Sequence, residues 1–448
     1  MNSLLNNRKG FYPHYIKELD NEIYLYNIIT NGIFLLNQQE YKALVGNIDI
    51  NNEQNKEIKN FFEENFIIIT DKNKKILDKL YQKTISSKKG LNATSLTLMV
   101  SQACNLRCKY CYGDGGEYSH KGFMSYEIAK RAVEFFVDQT QEKKLNICFF
   151  GGEPLLNYDL VKRIVDYTKD IAIIKEKEFT YSMTTNATLI TPEIEQFIQK
   201  NKISITVSMD GTKETNDINR YYANKKGAYD DINAKTVNLK NFITIRATIA
   251  PPNLNIEENL VHIIEELQYK RTAWAEADNL LSESDYEVLF EHTMKLYDRF
   301  EQMLKEGKIT EVKKYYSFVN VLRKFYHDGI RSKGCGSGTN MMAVDIDGKI
   351  YPCHRFVGVE ASILGDVCAK EMNDTKFYLQ AELANFEKCK YCLARSICGG
   401  GCVNENFFAN NFINEPSKKH CDYRINIVDR LLEIFIHMSD KEKQLLLD

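Results

Sequence analysis

Residues 95–111 read SLTLMVSQACNLRCKYC. An apolar, β-prone run, SLTLMVS (95–101), is followed two residues later by three cysteines within eight positions, Cys104, Cys108 and Cys111, in a chain with only 12 cysteines among 448 residues. A structural zinc site takes four ligands, often as two C-x2-C pairs, yet the next cysteine, Cys148, is far along the chain and inside another strand pattern. Three thiolates at this spacing suit a cubane iron–sulfur cluster whose fourth iron stays open. The alternative is a zinc loop completed by a distant Cys or His.

Outward from this stretch, further β-rich runs alternate with amphipathic helical patterns: LNICFF (145–150), FTYSMTT (179–185), ISITVSM (203–209), FITIRATIA (242–250) and KRTAWAEA (270–277). Six strands separated by helices predict parallel crossovers, hence an α/β sheet or partial barrel. In such folds chemistry collects where strands end. The cysteine loop follows the first strand, Gly151-Gly152-Glu153-Pro154 the second, and Asp210-Gly211 the fourth. The glycines permit close backbone approach to a ligand, and Glu153 can accept from an ammonium group. Ser182, Asn186, Ser208 and Asp210 are small polar groups near strand ends, and Arg220 follows in NDINRYY. Cys148, within a strand, reads as a core thiol.

C-x3-C-x-aromatic-C after a first strand resembles the radical S-adenosylmethionine (SAM) superfamily, with Tyr110 at the aromatic position. The resemblance implies a partial (β/α)6 barrel resembling a TIM barrel and a [4Fe–4S] cluster on Cys104, Cys108 and Cys111. It also implies SAM on the open iron, cleaved to a 5′-deoxyadenosyl radical while the protein positions it and excludes water. GGEP resembles the motif that holds the SAM amino group. Ser182, Asn186, Ser208, Asp210 and Arg220 become candidate SAM contacts beside Tyr110, Gly151, Gly152, Glu153 and Pro154.

Seven more cysteines follow: Cys335, Cys353, Cys389, Cys392, Cys398, Cys402 and Cys421. They resemble the SPASM extension of radical SAM enzymes, which carries two auxiliary clusters. Mapped so, Cys389, Cys392, Cys398 and Cys421 bind the outer cluster, and Cys335, Cys353 and Cys402 the inner one, for three [4Fe–4S] clusters in all. The alternative is a pair of zinc knuckles. DIDGKIYPC reads as a hairpin bringing Cys335 and Cys353 together. Seven cysteines leave one of two four-ligand sets short. Either Cys368 fills the place or the inner cluster keeps an open iron able to take a substrate thiolate. His354 stands where the sulfatase-maturating branch has an aspartate base, and is a candidate base.

Before residue 93 the chain has no cysteine. EIYLYNII and GIFLLN flank a TNG turn, helical patterns follow, and FIIIT suggests a further strand, an order resembling a winged-helix module that binds leader peptides by strand addition. The lysine-rich run from Asp71 to Gly90 reads as a polar helix entering a linker. The expected division is thus 1–92 for the recognition module and linker, 93–306 for the barrel, 307–334 for a helical bridge and 335–448 for the SPASM domain. Basic and acidic residues (59 and 61) nearly cancel, so nucleic acid and membrane are not expected partners. A secretion h-region and any run of 18 apolar residues are missing, and clustered cysteines suit a reducing compartment, which predicts a cytoplasmic location. Against the alternatives of a carbon–carbon crosslinking or epimerising peptide maturase, an anaerobic sulfatase-maturating type of enzyme and a zinc-binding winged-helix module, the resemblances together imply a maturase that forms thioether links from peptide cysteines, as ranthipeptide and sactipeptide enzymes do. Its partners are a Cys-containing precursor peptide with a leader and an electron donor such as flavodoxin or ferredoxin.

Overall fold

The computed structural model describes residues 3–6, 8–85, 91–327, 329–373, 378 and 380–448; the expected linker at 86–90 lies outside them. Two units are present. One combines Met1–Ser86, Phe318–Cys335 and Gln380–Asp448, the other Ser87–Ser317 and Gly336–Leu379.

The first unit opens with an antiparallel meander, β1 (Ser3–Asn6), β2 (His14–Leu19), β3 (Glu22–Asn27) and β4 (Ile33–Leu36). Asp20 and Asn21 join β2 to β3 with φ of 52° and 65°, the two-residue turn that short polar side chains tolerate. Helices Gln38–Leu44, Lys56–Glu64 and Asp71–Ile85 follow. Asn37 caps the first, and Glu40 bonds back to the Asn37 N–H. Leu44 and Phe62 from the first two helices pack with Ile16 and Leu25 of the sheet. The expected strand at FIIIT is reduced to one bridge, Ile68 to Phe11, because the N–H groups of Ile67 and Ile68 both turn to the Phe62 carbonyl. The module therefore has four strands before its helices, where the sequence suggested two strands, helices and a third strand. Lys17 anchors the sheet to the helix Lys418–His437, with Nζ 2.9 Å from Asp429 and 2.6 Å from Glu433. Tyr15 also donates to Asp429, at 2.9 Å.

The second unit is built on β5 (Ser95–Gln102), β6 (Gly122–Phe123), β7 (Lys144–Gly151), β8 (Glu178–Thr185), β9 (Ser204–Ser208), β10 (Ile243–Ile249) and β11 (Thr272–Glu276). Apart from the short antiparallel β6, these strands are parallel and neighbour one another in chain order, which is the expected six-strand α/β arrangement. Alternation sets its two faces. Leu145, Ile147 and Phe149, and likewise Ile205 and Val207, are buried. The register pairs Cys148 with Ser182, Thr206 with Thr244 and Ser208 with Arg246, so the opposite face is lined with polar groups.

A further parallel strand, β12 (Met341–Val344), adds to the free side of β5, and β13 (Lys349–Tyr351), β14 (Gly365–Asp366) and β15 (Glu371–Met372) continue antiparallel. Residues 336–379 therefore extend the barrel sheet, whereas 318–335 pack with 380–448. Packing divides the chain after residues 86, 317, 335 and 379. Among the described residues, no helix is long and apolar enough to cross a membrane.

Candidate active site

The three-cysteine loop leaves the end of β5 and is held from both sides. Arg107 N–H donates to the Tyr221 carbonyl at 2.7 Å and Lys109 N–H to Asn219 at 3.0 Å. At the end of β7, Gly152 N–H donates to Ser101 at 2.7 Å and Glu153 N–H to Ala103 at 2.9 Å. This approach demands glycine: a Cβ on Gly151 would stand 2.0 Å from the Ser101 oxygen, and one on Gly152 2.3 Å from that of Ala103. Glu153 is fully buried. Its carboxylate accepts from Thr185 Oγ1 at 2.7 Å, Asn186 N–H at 2.7 Å and Leu155 N–H at 3.0 Å. Burial outweighs these three bonds and pushes the Glu153 pKa up to about 7. The side chain thus ties the β7 rim to the β8 rim.

Beyond β9, Asp210 gathers the other side. It accepts from the Tyr110 hydroxyl and, at 3.0 Å, from Thr248 N–H, and it pairs with Arg220 at 3.1 Å. Arg220 lies over the Tyr110 ring, 5.2 Å from its centroid, and reaches Cys108 Sγ at 3.9 Å. Asn186 Nδ2 is 3.8 Å from Cys104 Sγ and 2.9 Å from the Asn105 side-chain oxygen. Burial, with the Glu153 charge, pushes Cys104 up to about 12; burial pushes Cys108 up to about 11 against Arg220. Desolvated thiols with N–H donors aimed at two sulfurs fit an iron–sulfur cluster, whose bonds to iron replace the protons that burial favours. Among the described residues no three His, Cys, Asp or Glu side chains form a single-ion site.

Two expected residues lie elsewhere. Ser182 is not at the end of β8 but pairs in register with Cys148, and it donates to Asn146 at 3.2 Å, down the polar face. Cys148 is half-buried on that face, not in the apolar core, because its parity matches Asn146. Ser208 ends β9, two residues before Asp210, and Pro154 is buried at the start of a helical turn. The His354 ring lies tilted 4.4 Å from the Phe150 ring and 6.4 Å from Tyr112. Burial and the charges of Arg355 and Arg246 lower its pKa to about 4, which leaves a neutral imidazole.

In the first unit, Cys389, Cys392, Cys398 and Cys421 act on one another electrostatically, and three of them line a cavity of about 480 Å³ with Tyr15 and Asp429. Burial pushes Cys389 and Cys421 up to about 12. Cys398 goes the other way: burial is outweighed by a hydrogen bond and charge from His420, by Arg424 and by the Gly401 N–H, which hold it near 7. Cys402 caps the helix Val403–Asn410. The proposed inner set is divided between the units, Cys335 and Cys402 in one and Cys353 in the other.

Cys368 is answered by register. Lys349 pairs with Asp366 and Ile350 with Gly365, so Cys353 lies beyond one end of this pair and Cys368 beyond the other, where a Cβ on Gly348 would be 3.2 Å from Cys368 Sγ. β13 itself, Lys349–Tyr351, rises roughly 10 Å between these two ends. Sequence reasoning did not single out Asn105, Gly116 or Thr185 around the loop, nor Arg331 and His420 around Cys398. A signal was present for Gly116, in the GDGG run just past the third cysteine: a Cβ there would meet Gly152 Cα at 2.5 Å. The others are ordinary polar residues without a distinguishing spacing.

Comparison with known proteins agrees with this geometry. Residues 98–266 match the radical SAM superfamily. A cysteine-type anaerobic sulfatase-maturating enzyme of Clostridium novyi is 24% identical over 359 residues, covering 71% of this chain and 93% of its own. The radical SAM cyclopropyl synthase TigE of Paramaledivibacter caminithermalis is 24% identical, covering 98% of this chain and 100% of its own. Among solved structures, anSMEcpe with bound AdoMet superposes with a TM-score of 0.65 at 20% identity, covering 79% of this chain and 98% of that one, a likeness of fold. The loop of three thiols at the end of β5, the glycine rim beside it and the match over 98–266 together mark these residues as a radical SAM domain.

Proposed function

We propose that the protein is a peptide maturase that forms thioether links between cysteine sulfur and carbon atoms of a ribosomally made precursor. In this reading Cys104, Cys108 and Cys111 hold the SAM-binding cluster, and the seven later ligands hold two auxiliary [4Fe–4S] clusters. When bound, SAM would supply a 5′-deoxyadenosyl radical able to take a hydrogen atom from the acceptor carbon, and the auxiliary clusters would offer a sink for the one electron released as the thiol loses its proton, so each link would cost the peptide two hydrogens. An electron donor such as flavodoxin or ferredoxin provides the reducing electron.

The chain's own residues do the rest. Asp210 fixes Tyr110 and Arg220 beside Cys108, and Glu153 locks the β7 and β8 rims that border Cys104. His354, its ring 4.4 Å from that of Phe150, is in this reading the residue nearest the candidate thiol site, and burial makes it a weak base. The observation that carries the thioether reading is Cys368 at the far end of its hairpin from Cys353. In this reading the inner set has three thiols and a place for a substrate thiolate. The four-stranded module, with β4 as an edge, supports leader binding by strand addition. A solved relative in fold, anSMEcpe, carries a bound Cp18Cys peptide.

The test is anaerobic turnover of the candidate precursor. Thioether formation removes two hydrogens per link and blocks the thiols to alkylation. The peptide should perturb the auxiliary-cluster spectrum, and its Cys→Ser version should not. A two-hydrogen loss with all thiols still alkylable would reject the reading. That outcome belongs to a second one, carbon–carbon bond formation, which the full-length match to a cyclopropyl synthase favours.

A further inference from the structure

Two cations beside Cys398 have no part in the reaction just described. Arg331 spreads its guanidinium over four backbone carbonyls: Nε to Lys333 at 2.8 Å, Nη2 to Gly334 at 2.6 Å, and Nη1 to Ser396 at 3.2 Å and Ile397 at 2.8 Å. Lys324 Nζ reaches the same Ile397 carbonyl at 3.0 Å. The residues just ahead of Cys335 and just ahead of Cys398 are thereby fastened to one positive charge. Glycines bring the two backbones together: a Cβ on Gly334 would meet the Gly399 oxygen at 2.2 Å, and one on Gly399 would meet Gly334 Cα at 2.4 Å and Arg331 Cζ at 3.2 Å.

Neither cation has a carboxylate partner among the described residues; their hydrogen bonds end on carbonyls. A cation withdrawn from water and given only dipoles is poorly compensated. Arg220 in the three-cysteine site, by contrast, is paired directly with Asp210. What opposes the charge of Arg331 is the pair of thiols, Cys398 and Cys335, and Cys398 also acts on Lys324.

We infer that Lys324 and Arg331 are the built-in countercharge for an anionic iron–sulfur cluster held through Cys398, and that they raise its reduction potential. The inference rests on the reading of these cysteines as cluster ligands. A reduced cluster carries one more negative charge than the oxidised one, so a fixed cation nearby favours reduction, and net charge and hydrogen bonding are the levers by which proteins set such potentials. Arg331 also positions: its fork holds both cysteine loops, which lysine's single ammonium does not reproduce.

The test uses the full chain carrying Cys104→Ala, Cys108→Ala and Cys111→Ala, so that only auxiliary clusters remain, in an anaerobic redox titration followed by EPR. At the parent's midpoint, Lys324→Gln and Arg331→Gln should each lower the ratio of reduced to oxidised auxiliary cluster about tenfold, equivalent to about 59 mV for one electron. Lys324→Arg should keep the parent's midpoint. An unchanged midpoint in Lys324→Gln at parental iron content overturns the inference. If Arg331→Gln loses iron because its loops slacken, Lys324→Gln alone decides. If both Gln proteins lose iron, retention by Lys324→Arg upholds the countercharge and its loss there overturns it. A parent that binds zinc in place of iron and sulfide overturns the cluster reading itself, and the inference with it.

Discussion

The two cysteine sites solve opposite electrostatic problems. Around Cys104 and Cys108 every strong charge has a partner: Arg220 sits on Asp210, Asp210 also takes the Tyr110 hydroxyl, and Glu153 is wrapped by three donors. The thiols there are pushed up chiefly by burial, helped at Cys104 by the Glu153 charge. Around Cys398 the cations Lys324 and Arg331 meet only carbonyls among the described residues, and the thiol is held near 7. A site that must bind a cationic cofactor on an open iron gains from a neutral surround. One that only stores an electron gains from surplus positive charge.

The most drastic way to separate the sites is to remove one. Cys104→Ala, Cys108→Ala and Cys111→Ala together should reduce 5′-deoxyadenosine formation to background. Iron should drop by only about a third, four of about twelve atoms for three cubanes. Loss of all iron would mean that the two sites are not independent. Next in size is Asp210→Asn, which leaves buried Arg220 without its countercharge and should cost about 3–5 kcal/mol of stability in denaturant unfolding. Replacing Arg220 and Asp210 together by leucines should recover much of that, since the cost lies in the unpaired charge. If the single variant is nearly neutral, the balanced description of this site fails.

Much of this contrast was legible in the sequence on one side only. The strands β5 and β7 to β11 were readable because each alternates or runs apolar between polar helices, and the loop was readable because its spacing is tied to cluster chemistry. The meander was half missed. HYIKEL, which forms β2, carries Lys17 at a position that reads as solvent but is buried against Asp429 and Glu433, more than 400 residues away in sequence. The same blindness to distance hid Lys324 and Arg331, whose roles come from loops that meet them only in the folded chain. Cys368 stayed ambiguous for a related reason: spacing does not say at which end of a hairpin a residue lies, and register does.

Glu153 sharpens the comparison within the neutral site. Its native pKa near 7 exceeds its unfolded value near 4.5, so the folded state binds the extra proton and stability falls as pH rises from about 4.5 through 7. The whole fall is roughly 3 kcal/mol at 1.36 kcal/mol per unit. Glu153→Gln removes this slope while losing the acceptor for the Asn186 N–H. Urea midpoints of SAM-free protein at pH 5 and pH 8 should therefore show the parent weakening relative to the variant. A constant gap would place a countercharge beside Glu153 that its surroundings do not contain.

The smallest expected effect decides the most about the second site. Cys368 is exposed, its N–H bonded to Asp366 at 2.7 Å, and its sulfur lies by the Gly348 turn. Because β13 and β14 run antiparallel, any shift that carried Cys368 toward Cys353 would break the Lys349 and Ile350 pairs and strip the Lys349–Asp366 ion pair at 2.8 Å. Cys368→Ser should therefore leave iron content, auxiliary EPR signals and thioether yield at parental values, whereas Cys353→Ser should lose one auxiliary signal. If Cys368→Ser instead removes an auxiliary signal, the inner cluster has four protein ligands. The place proposed for a substrate thiolate then does not exist, and sulfur selection must come from outside the cluster.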